Sequence, residues 1–262
     1  MLHINNNTLK FEFPEIHREA VCNISLHRTT AVARQSVTSL VNEGIIPLFH
    51  IDDYSKDLPL RLLKRGGVIA PAEKEQPLYI KLSGNYPFAL KIGVGKINAV
   101  SGCPWSEHLN ADNQDYLVTP PQSSFAGYHE GNGRFHQFVV TALGKGATIE
   151  EQVAGTADIG GIQIIAYPMK RTAYEDYCRN CTRLSLASPA SSSELGIAKG
   201  DLIAQKIATD TYGSGVWEMD SSSRCFVHLL EKSAFRKITG RDKYGHPAKI
   251  FSLDRWRRAN GR

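Results

Sequence analysis

Apolar residues fall at every second position in "LKFEF" (9–13), so that Leu9, Phe11 and Phe13 share one face. A two-residue period suits a half-buried strand and cannot serve a helix. Looser alternation runs through "AVCNISLHR" (20–28). Short runs rich in Val, Ile, Phe and Tyr then recur: "IPLFHI" (46–51), "PLYIKLS" (77–83), "PFALKIGVG" (87–95), "KINAV" (96–100), "DYLVTP" (115–120), "RFHQFVVTAL" (134–143), "IQIIAYPM" (162–169), "LIAQKIA" (202–208) and "RCFVHLL" (224–230). Gly, Pro, Asn and Asp bound most of them, as in the turn-like "SGNYPF" and "HEGNGRF". Short strands at close spacing with few helices between them predict a mainly β protein. The expected form is an antiparallel β-sandwich or a barrel-like sheet with a few peripheral helices.

Helical patterning is confined to four stretches: 55–67 ending at glycine, 174–186, 232–240 ending at Gly240, and 252–260 with Ser252 as N-cap. The expected organisation is a β-rich core over 1–186, a Ser/Ala/Pro linker at 187–196 ("LASPASSSELG" spans it), a return to the core plus a helix over 197–240, and a basic C-terminal segment over 241–262. The chain of 262 residues, 42% hydrophobic, is long enough to bury a sizeable core. Its longest apolar runs fall well short of the ~20 residues needed to span a bilayer. "MLHINNNTLKFEF" has neither a basic nor an apolar leader region. The reading is a soluble, cytoplasmic protein with no membrane partner. Five cysteines are an odd number in a large chain, which argues against a disulfide framework.

Charge is unevenly placed. Ten basic and three acidic residues lie between Leu229 and Arg262, against 21 and 23 in residues 1–228. Such a tail is either a solvated helix or a contact for an anionic partner, nucleic acid included. In the second case Trp256 stacks among Arg255, Arg257 and Arg258.

Several ordered blocks also carry a resemblance: "LHRT" (26–29), "RGGV" (65–68), "YPFALKIGVGKINAVSGCPWS" (86–106), "DYLVTPPQ" (115–122), "HQFVVTALGKGATIEEQVAG" (136–155), "GGIQIIAYPMK" (160–170) and "SSRCFVHLLEKSAFRKITG" (222–240). Together they resemble a family of uncharacterised soluble bacterial proteins, over most of residues 9–240. That family brings no assigned activity, so the resemblance implies no catalytic residue. The chain departs from it at "TALGKG" in place of "MPLGEG", in lacking a tryptophan after "PPQ", and at "APAEKEQPLYIKL". If aromatic groups there bind something in relatives, this chain lacks that contact.

"GKGATIEEQVAG" (144–155) invites a phosphate-loop reading, but its spacing fits neither Gly-x4-Gly-Lys-Ser/Thr nor Gly-x-Gly-x-x-Gly, where Ile149 stands in for the last glycine. Thr148 followed at three residues by Glu151 is instead a capping box, with acids suited to a helix N-terminus and Gly155 to its end. The functional alternative makes Glu150 or Glu151 a general base, with Lys145 neutralising an anion. "CRNC" (178–181) and "CFVH" (225–228) contain the donors of a zinc site. Cys225 and His228 fall on opposite faces of a strand, however, which argues against one, and no metal or other cofactor is expected. His136 reads as a strand histidine. Lys96, Asn98 and Trp105 in "KINAVSGCPW", and Gln163 and Lys170 in "GGIQIIAYPMK", are candidates for binding at strand ends, the alternative being that Gln163 faces water.

With no catalytic constellation, the reading is a β-rich binding or structural module acting through contacts with a protein partner or with copies of itself. The two alternatives are an acid–base enzyme with a pocket near Glu150, Gln163 and Lys170, and nucleic-acid contact through the tail.

Overall fold

A computed structural model describes residues 1–31, 41–156, 158–183 and 202–248. The strands are β1 (Leu2–Asn5), β2 (Thr8–Glu12), β3 (Val21–Arg28), β4 (Phe49–His50), β5 (Val68–Ala72), β6 (Pro77–Ser83), β7 (Phe88–Val94), β8 (Ile97–Asn98), β9 (Leu117–Thr119), β10 (Ser124–Phe125), β11 (Gly127–Gly131), β12 (Arg134–Val139), β13 (Ile162–Pro168), β14 (Leu202–Ile203) and β15 (Ser223–Glu231). The helices are α1 (Leu60–Leu63), α2 (Ile149–Ala154), α3 (Arg171–Arg183) and α4 (Lys232–Thr239). The linker at 187–196, the helix expected at 252–260 and the tail residues Arg255, Trp256, Arg257 and Arg258 lie outside the described residues.

Two open sheets result, the sandwich form of the expectation. The first runs β1-β2-β3-β6-β12-β11, with β10 on β6 and β14 on β12. The second runs β4-β5-β15-β13-β7-β8, with β9 on β7. Every described strand pair is antiparallel except β15 with β5. In β2, Leu9 and Phe11 are wholly buried while Thr8, Lys10 and Glu12 stay partly open, as the two-residue period requires. The inner faces meet in one core that joins Ile24, Leu26 and Ile80 of the first sheet to Ile92, Ile164, Cys225 and Val227 of the second.

On the outer face of the second sheet, α1 and α4 cover β5 and β15. Leu62 and Phe235 pack there with Ile51, Leu58 and Ile69. The stretch 55–67 makes only one helical turn, because Pro59 can open a helix but not continue one, and Gly66 and Gly67 both take positive φ. Strand β15 lies between β5 and β13, so the segment after the linker is integral to the core. Residues 241–248 also dock on the body. Lys243 Nζ lies 2.9 Å from Glu73 Oε1, and Arg28 donates to the Lys243 carbonyl at 2.6 Å. Part of the basic C-terminal charge is therefore neutralised internally. No helix among the described residues is long and apolar enough to cross a membrane.

Candidate functional site

The stretch 144–155 folds as a turn and a capped helix. Thr148 Oγ1 accepts from the Glu151 N–H at 3.2 Å, and the Glu151 carboxylate accepts from the Thr148 N–H at 3.1 Å and the Gly146 N–H at 2.9 Å. The Thr148 hydroxyl also donates to Glu151 Oε2 at 2.6 Å, and these donors, that hydroxyl foremost, pull the Glu151 carboxyl down to about 2. Gly155 closes the helix at φ 69°. Lys145 is exposed at the turn.

Glu150 points the other way and is 1% exposed. Its carboxylate accepts from the Gly160 N–H at 2.7 Å and the Ile159 N–H at 3.1 Å. It rests on Gly95, which has φ +57° and whose Cβ, were there one, would lie 2.5 Å from Glu150 Oε2. Only glycine suits that position, and Glu150 ties α2 to the turn between β7 and β8.

Lys96, Asn98, Trp105 and Gln163 gather around the same turn. Lys96 pairs with Asp158 at the surface. Asn98 is buried. It donates to the Asp115 carbonyl at 2.8 Å and accepts from the Val100 N–H at 2.9 Å and the Ser101 N–H at 3.2 Å, an Asx-type turn. The Asn98 side chain therefore shapes the loop that follows. Gln163 is 2% exposed and donates to the Gly95 carbonyl at 2.7 Å. It does not face water, because residues 104–116 fold over the outer face of β7 and β13. Trp105 lies on Gly93, and Tyr167 donates to the Glu107 carbonyl. Lys170 is not part of this group. It sits beyond the far end of β13, a strand about 20 Å long at roughly 3.3 Å per residue, and donates to the Gly215 carbonyl at 2.8 Å.

Lys91 is the residue that pattern reading missed. It is fully buried on β7, donates to Asp115 Oδ2 at 2.7 Å and to the His108 carbonyl, and lies 5.7 Å from the Trp105 ring centroid. The signal was present in "FALKIGV": Lys91 is in phase with Ala89 and Gly93, two small residues that leave room for a covering segment. The buried pair pins residues 104–116 to the sheet.

The zinc arrangement is divided as strand alternation requires. Cys225 lies in the main core, and His228 Nε2 lies 2.9 Å from the Gly66 carbonyl on the other side of β15. Cys178 lies on α3, while the Cys181 side chain is outside the described residues. Among the described residues no three His, Cys, Asp or Glu side chains gather where they could hold a metal ion.

A cleft of about 610 Å³ opens between the sheets. Its walls are the end of β12 with residues 140–143, the last residues of β15, and the first turn of α2 with residues 159–162. The lining is mixed: Leu78, Val94, Phe138, Leu143, Ile162 and Leu229 supply its apolar part, and charged and polar side chains such as Arg61, Lys74, Gln137 and Glu231 the rest. Of the candidates among the described residues, only Glu150 lines it. Across one wall the His136 ring stacks on Tyr128 at 5.5 Å and its Nε2 lies 3.0 Å from Glu130 Oε2, which holds the Glu130 carboxyl below its ordinary range. Gln137, 4% exposed, donates to the Thr30 carbonyl at 3.3 Å while its Oε1 has no partner among the described residues. Val139 is a large exposed apolar side chain on this lining, and Leu60 and Val153 are two more, each one residue from it.

No family model, curated protein or solved structure matches the chain.

Proposed function

We propose that the chain is a binding module that takes part of a protein partner into the cleft between its two sheets. The observation that carries this reading is the cleft itself: about 610 Å³, with apolar and polar side chains both on its lining and Val139 exposed there. That volume falls within the usual range for ligand sites, which pair apolar walls with a few polar groups. The acid–base alternative needs a carboxylate free to move a proton. Glu150 and Glu151 both commit their oxygens to backbone N–H groups, and Lys170 lies at the other end of β13, so binding is the better supported reading.

An apolar fluorescent probe, 1-anilinonaphthalene-8-sulfonate, tests the cleft directly. The folded protein should enhance its emission, and Val139→Trp, which puts an indole over the opening at a position already 37% exposed, should remove most of that enhancement. No enhancement by the wild-type protein, or equal enhancement by the variant, would overturn the reading. Light scattering of the same two proteins distinguishes a foreign partner from self-association.

A further inference from the structure

The occupant is constrained by the edge of β15. Strand β13 begins at Ile162, opposite Val227, but β15 runs on to Glu231. Residues His228–Glu231 pair with β5 on one side and have no described strand on the other. The close approaches of two glycines show which backbone groups face which side. A Cβ on Gly67 would lie 2.2 Å from the Phe226 carbonyl oxygen and 2.8 Å from its nitrogen, so Phe226 turns its backbone groups towards β5. A Cβ on Gly161 would lie 2.4 Å from the Val227 carbonyl oxygen, so Val227 turns towards β13.

Backbone direction alternates along a strand. The N–H and C=O of Leu229 and the N–H of Glu231 therefore face the same side as Val227, beyond the end of β13. No backbone hydrogen bond outside the regular elements is made by Leu229 or Glu231 among the described residues. Leu229 and Glu231 both line the cleft. Gly160 and Gly161, with φ +62° and +64°, turn the chain away where β13 would otherwise cover this edge.

An open strand edge is a template for another strand, and within a cleft its unpaired groups are best met by a partner that carries both donors and acceptors. Gln137 Oε1, buried and unpartnered in the same lining, adds one acceptor. Arg61 and Lys74 also line the cleft, and neither forms an ion pair among the described residues. They outnumber Glu231, which among the described residues is the one lining carboxylate without a partner, since Glu130 and Glu150 are engaged.

We propose that the cleft takes an extended segment of a partner polypeptide, added to β15 at Leu229, with apolar side chains at alternate positions and an acidic residue near Arg61 and Lys74. This rests on the binding-module reading and specifies its ligand.

The test is selection of a displayed random octapeptide library on the full chain, with Val139→Trp as the counter-target. The enriched peptides should alternate apolar and polar residues and carry an acid. Synthetic copies with one backbone nitrogen methylated at the pairing position should bind at least tenfold more weakly, because methylation removes a ladder donor and leaves the side chains alone. Amide exchange at Leu229 and Glu231 should slow at least tenfold on peptide binding. Failure to enrich any peptide over the counter-target overturns the peptide proposal, and so does equal binding by methylated and unmethylated copies. In either case the fluorescent probe decides separately whether the cleft binds at all.

Discussion

Replacing Glu150 by alanine separates an anchoring carboxylate from a working one. In the native fold this side chain accepts from two backbone donors, Ile159 and Gly160, at 1% exposure. A hydrogen bond to a charged group contributes about 1.5–3 kcal/mol, and a buried donor left alone costs about 1–3 kcal/mol. Because Glu150 borders the cleft, water can reach part of the space left behind, so the lower end applies. Two donors at that end give about 3 kcal/mol for Glu150→Ala and about half as much for Glu150→Gln, whose amide keeps one acceptor oxygen. Urea unfolding reads this as a lower midpoint at unchanged slope. At about 3 kcal/mol per molar urea, the alanine variant loses about 1 M and the glutamine variant about 0.5 M. An alanine variant within about 0.2 M of the parent would refute the reasoning. The carboxylate would then not be held by those amides in solution, and its candidacy as a general base would reopen.

Lys91→Met should cost about 3–5 kcal/mol, because it strands the Asp115 charge beneath residues 104–116, and Lys91→Met with Asp115→Asn should cost clearly less than the sum of the single changes in the same unfolding assay. Burial lowers the His228 and His27 imidazoles below their ordinary range, so the unfolded chain takes up protons first on acidification. Their stability contribution is full above about pH 6.5 and falls as pH drops below it. Calorimetric Tm should decline from pH 7 to pH 5, less steeply in His228→Gln, and equal slopes would count against this. Burial pushes the Cys22 and Cys225 thiols up to about 12. A thiol-labelling reagent at neutral pH should therefore modify exposed Cys103 in the native protein and reach Cys22 and Cys225 only after denaturation.

Local features of the fold were legible in the sequence. The alternation of Leu9, Phe11 and Phe13, the Thr148–Glu151 cap and the Gly240 stop on α4 all depend on residues within a few positions of one another, and the structure has each of them. Features that depend on what folds over a strand were not legible. Gln163 looks like a solvent-facing strand residue until residues 104–116 cross its face, and Lys91 looks like a surface lysine until the same segment supplies Asp115 and Trp105. "KINAV" and "LIAQKIA" have strand composition but make only two-residue strands, Ile97–Asn98 and Leu202–Ile203, because pairing partners set strand length. The cleft was hidden for the same reason. It exists because β13 starts opposite Val227 while β15 continues, a difference in register between segments more than sixty residues apart. Glu150 was visible as a candidate, but its role as an anchor depended on the Ile159 and Gly160 amides turning back towards it.

The place of β15 also bears on how the chain is made. Val227 pairs with Val68 and Ile162, so the middle of the second sheet closes around a strand made long after both of its neighbours. Until residues 223–231 leave the ribosome, β5 and β13 each carry a bare edge, and the parallel contact with β5 closes a loop of well over a hundred residues. Long-range pairing of this kind is slow, and bare edges invite association with other chains. A copy truncated before Ser223 keeps both edges bare and should associate with other chains more readily than the full chain.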